Sequence, residues 1–86
     1  MKFVDRHPFA DPDASACKIV EIANDVEAVR DGRIYIERVN VLFLAAGGNG
    51  DQFRAGIERA VALGWICRHE SGTYLKFTES GAALLA

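Results

Sequence analysis

Apolar positions recur at helical spacing three times along the chain and then switch to alternation. Ala16, Ile19, Val20, Ala23 and Val26 fall on one stripe of a first helix, with Lys18, Glu21 and Asp25 off it. Asp11 can cap that helix, Pro12 suits its first position, and acids favour its amino end, so it starts near Asp11 or Asp13. Asp31-Gly32 is expected to end it. Arg33–Tyr35 is short and leans towards β-structure. A second helix is predicted from about Ile36 to Ala46. Ile36, Val39, Phe43 and Ala46 share one face, and Val41, Leu44 and Ala45 fall towards the other. Gly47-Gly48-Asn49-Gly50 must break it.

A third helix is predicted from about Asp51 to Leu63. Phe53, Ile57, Ala60 and Val61 make its buried stripe, and Gln52, Arg54, Ala55, Glu58, Arg59 and Ala62 its open face. Gly64 ends it. Trp65–His69 and Thr73–Thr78 then read as two strands around a Glu70-Ser71-Gly72 turn. Alternation sets Leu75 and Phe77 on one face of the second strand, Tyr74 and Lys76 on the other. Thr78 can cap a last short helix, Glu79–Leu85. Residues 1–12 read as an arm whose Phe3, Val4 and Phe9 pack on the body, and residues 13–86 as one domain. Trp65 is expected to be largely buried against the first helix.

The ordered set, helix, short strand, helix, tight turn, helix, β-hairpin, resembles the winged helix-turn-helix family. Phe53, Ile57 and Ala60 match the apolar spacing of that family's recognition helix. Gly64-Trp65-Ile66 matches its exit into the wing, and Phe77-Thr78-Glu79-Ser80-Gly81 the segment that closes the wing. The resemblance covers roughly residues 13–86. It implies an α+β fold, mainly α: a three-helix core with a C-terminal β-hairpin wing and a short last helix. It also implies a surface, made of the third helix and the hairpin, that enters the major groove of DNA. Two positions depart from the family. Tyr35 and Asn49 or Gly50 stand where Ser or Thr is usual ahead of the second and third helices, although Asn49 can still cap.

Charge tempers that implication. The 86 residues carry a net charge of −2, so no global basic field attracts nucleic acid or anionic lipid. Residues 1–31 hold four basic against seven acidic side chains, and residues 32–76 six against four. The candidate DNA-binding residues are Gln52, Arg54 and Arg59 on the third helix and Arg68 and Lys76 on the wing. Asp51, Glu58 and Glu70 lie among them. The reading is a DNA-binding regulator of transcription; the alternative is a winged-helix module that binds another protein and no DNA.

The remaining chemistry is sparse. Cys17 and Cys67 are expected as buried, reduced thiols with no CxxC spacing, and His7 and His69 lack metal-ligand neighbours. Gly47–Gly50 precedes a helix but lacks the Lys-Ser/Thr of a phosphate loop. No nucleophile, base and acid converge, so neither an enzyme nor a cofactor is expected. Met1–Ala10 has no apolar signal core and Val41–Ala46 is too short to span a bilayer; the expectation is a cytoplasmic chain with no membrane partner. Phe3, Val41 and Leu44 are candidate interface residues for a homodimer, unless the arm covers the strip itself.

Overall fold

The computed structural model describes residues 9–26 and 32–84. The expected turn at Asp31 and the arm contacts of Phe3 and Val4 lie outside them, as does Leu85. Among the described residues four helices and three short strands follow one another: α1 Pro12–Asp25, β1 Ile34–Tyr35, α2 Ile36–Ala45, α3 Gly50–Ala62, β2 Ile66–Arg68, β3 Tyr74–Phe77 and α4 Glu79–Leu84. The chain is thus α+β and mainly helical, with one antiparallel sheet in the order β1-β3-β2.

Local chemistry sets the ends. The Asp11 carboxylate accepts from the Asp13 N–H at 3.0 Å, and Pro12 occupies the first turn, where a missing N–H costs nothing. The helix closes earlier than the sequence suggested: Asp25 is its last residue and Val26 is already extended. At α3 a capping box forms. The Asn49 side chain accepts from the Gln52 N–H at 2.8 Å, and the Gln52 side chain accepts from the Asn49 N–H at 3.1 Å. Gly64, at φ 79°, turns the chain out of α3 into β2, a conformation that strains any residue with a Cβ.

Ala16, Ile19, Val20, Ile22 and Ala23 of α1 meet Phe53, Ile57 and Ala60 of α3, and Val39 and Phe43 of α2 close the side. Ile34, Ile66 and Leu75 cover the open end from the sheet. Phe43 is fully buried, with its ring 4.8 Å from that of Phe9 and 5.6 Å from that of Phe53. Phe9 therefore joins the body, as expected, but it does so at the core and not over the outer strip of α2. Gly56 permits a close approach of α3 to α1: a Cβ there would lie 2.6 Å from Ile19 Cδ1 and 2.7 Å from Ser15 Cβ. Ser15 is buried at this crossing and donates its hydroxyl to the Phe9 carbonyl at 3.0 Å.

Five side chains depart from expectation. Val61 is exposed, because α3 meets α1 through Gly56 and Ala60 and leaves Val61 at the rim. Ala46 is the exposed C-cap of α2 and not part of its core face. Cys17 and Cys67 are exposed free thiols: Cys17 lies beside the buried stripe of α1, and Cys67 faces outward across from Lys76. Trp65 is half-buried at the margin of the core. Its backbone does the bridging: the N–H donates to the Ala60 carbonyl and the carbonyl accepts from Thr78 N–H, both at 3.0 Å. Thr78 caps α4 by accepting from Gly81 N–H, and its hydroxyl donates to the Gly64 carbonyl.

One polar atom is ill-served. Asn40 Oδ1 is buried without a hydrogen-bond partner among the described residues. An orphaned acceptor costs about 1–3 kcal/mol. Asn40→Leu should therefore raise the thermal midpoint, by about 4–8 °C for each kcal/mol recovered in a domain of this size. A calorimetric scan showing an unchanged or lower midpoint would refute this.

Candidate nucleic-acid interface

The sheet divides the hairpin's side chains between two faces. Ile34, Arg68 and Leu75 occupy matching register positions and point towards α3. Tyr35, Cys67, Tyr74 and Lys76 point away. Arg68 and Lys76 thus leave the sheet from opposite faces, yet both line one open concavity at the hairpin.

On the inner side an open groove of about 420 Å³ runs between α3 and the hairpin, lined by Ile36, Phe53, Arg54, Ile57, Arg68, His69, Glu70 and Gly72. Arg54 comes to it from the hairpin flank of α3 and Arg68 from the facing strand. Arg54 also lies 3.9 Å from Asp51, but both side chains are largely exposed, so the pair is weak and competes poorly with another anion.

The other three candidates are placed elsewhere. Gln52 belongs to the capping box. Arg59 lies on the opposite flank of α3, where its Nε meets the Asp13 carboxylate at 2.5 Å and ties α3 to the start of α1. Lys76 stands on the outer face of the hairpin with Cys67, Arg68, His69, Glu70 and Tyr74 around it. That face also holds a stack the sequence did not reveal. The His69 ring lies 4.5 Å from Tyr74 at 21°, and the Arg33 guanidinium sits 5.0 Å from the Tyr74 ring centre. His69 Nδ1 accepts from the Ser71 N–H at 3.1 Å, which fixes the ring against the turn. The only signal for this was the alternation that put Tyr74 outward; the Arg33 contact needs β1 to pair with β3.

The outermost line of α3 is Asp51, Ala55, Glu58 and Ala62, opposite the buried Phe53, Ile57 and Ala60. It carries two acids and no base. The cations sit instead on the flanks and on the hairpin.

Val41 and Leu44, the described candidates for an interface, are 59 % and 43 % exposed. Phe3 lies outside the described residues. Among the described residues no helix is long and apolar enough to cross a membrane, and no three His, Cys, Asp or Glu side chains cluster as metal ligands do. No protein-family model, curated protein or solved structure matches the chain.

Proposed function

We propose that the chain is a winged helix-turn-helix domain that binds duplex DNA as a regulator of transcription. In this reading α3 and the β2–β3 hairpin form the contact surface, and the hairpin side leads. The observation that carries it is the groove at the helix–hairpin junction that Arg54 lines from α3 and Arg68 from the hairpin, with Glu70 the one acid among the described residues on its lining. Two guanidiniums on the walls of one open groove suit a phosphate backbone, because each presents several donors in a fixed fork. Lys76 and Arg33 extend the positive charge around the hairpin. The order of elements, with three helices packed on one core and a hairpin covering its open end, supports the winged-helix assignment.

Binding to random-sequence duplex at several salt concentrations tests this. Two or three phosphate contacts give a log–log salt slope of about −2 to −3 per protomer. Arg54→Ala combined with Arg68→Ala should remove most of that slope. Lys18→Ala should leave it unchanged, since Lys18 sits on α1 beside Glu21 at 2.9 Å. Absence of binding at low salt would overturn the reading. It would favour the second one, a winged-helix module that recognises a protein, for which the acidic outer line of α3 already speaks.

A further inference from the structure

A second surface lies on the other side of α2. Tyr35, Val41, Leu42 and Leu44 are all exposed there, although each is large and apolar. Val26, Tyr35, Val41 and Leu42 form the apolar lining of an open cavity of about 640 Å³, rimmed by Asp25, Glu37 and Arg38. It shares no lining residue with the groove of Arg54 and Arg68. An apolar floor of this kind marks a contact surface.

We infer that this surface pairs with a second copy of the same chain across a two-fold axis. The charges decide the occupant. The rim carries acids and a base side by side, and among the described residues none of the three takes part in an ion pair. A nucleic acid is repelled by Asp25 and Glu37. A patch that holds both signs around an apolar centre meets the requirement of an isologous contact, in which one surface must complement itself. Across the axis Arg38 of each chain meets Asp25 and Glu37 of the other. Val41, the most exposed of the four large apolar side chains, enters the partner's cavity against Val26 and Tyr35. None of these residues lines the groove of Arg54 and Arg68, so pairing does not depend on the DNA reading.

Sedimentation equilibrium of the intact chain without DNA, across the micromolar range, tests the inference. A dimer is expected. Val41→Asp should yield a monomer with an unchanged helical circular dichroism signal, because Val41 touches little of its own chain. Arg38→Glu alone should raise the dissociation constant at least about tenfold, the scale of a close interfacial charge pair. Asp25→Arg and Glu37→Arg combined with Arg38→Glu should restore pairing, since each reversed side chain again meets an opposite one. A monomer throughout the range overturns the proposal, as does a dimer indifferent to Val41→Asp. Failure of the triple reversal to restore pairing overturns the assignment of Arg38 to the partner's acids.

Discussion

Phe43→Ala should leave the protein only marginally folded at room temperature. The ring is fully buried and sits between Phe9 and Phe53, so it joins the N-terminal segment, α2 and α3 at one point. Truncating a buried phenylalanine costs about 3–5 kcal/mol. A domain of 86 residues has a total stability near the low end of about 5–15 kcal/mol. Urea unfolding followed by circular dichroism should show the midpoint falling close to zero denaturant. Retention of more than half the wild-type midpoint would show that α1 and α3 carry the core without α2. The nearby Gly48 reinforces the expectation, since it lies against the same ring where no Cβ fits.

Gly56→Leu should be comparably damaging for the opposite reason, because it adds atoms where none fit. A Cβ alone would press on Ile19 Cδ1, Ser15 Cβ and, at 3.1 Å, the Ser15 backbone carbon. The Ile19 side chain can rotate away, but the backbone of α1 cannot. The two helices must part, which takes Ser15 from the Phe9 carbonyl and opens the largest shared face of the core. Overpacking typically costs about 1–3 kcal/mol and occasionally more; a full leucine side chain at a helix crossing belongs at the upper end. Gly56→Ala should cost less. Equal stabilities for Gly56→Leu and Gly56→Ala would mean that α1 and α3 slide apart freely.

The helices and hairpin were legible because each rests on a local signal: Asp11-Pro12 and Asn49 at amino ends, Gly64 at a carboxyl end, alternation in Tyr74–Phe77. Phe53, Ile57 and Ala60 were legible as core for the same reason. What the sequence concealed depends on packing between elements. Gly56 reads as a weak point in a helix until α1 is seen lying on it. Val61 and Cys17 read as buried because composition does not show where the seam between two helices runs. The candidate surface suffered most. Helical spacing placed Arg54 and Arg59 on one open face, yet one flanks the hairpin and the other is drawn to Asp13, forty-six positions away. Arg68 and Lys76 are separated by strand alternation, which could have been applied to both strands at once.

The shortness of β1 has a mechanical consequence. Its two residues pair with Leu75 and Tyr74, and α2 begins at the very next position, where the Ile36 N–H still donates to the Thr73 carbonyl at 3.0 Å. There is no slack between sheet and helix. The hairpin is therefore not a free flap: it is pinned on one edge to the root of α2 and on the other to the exit of α3. Any sideways swing of its tip must rotate the first turn of α2 or break those bonds. The hairpin behaves as a stiff prong set in the body, and a load on its tip is felt at Glu37 and Arg38.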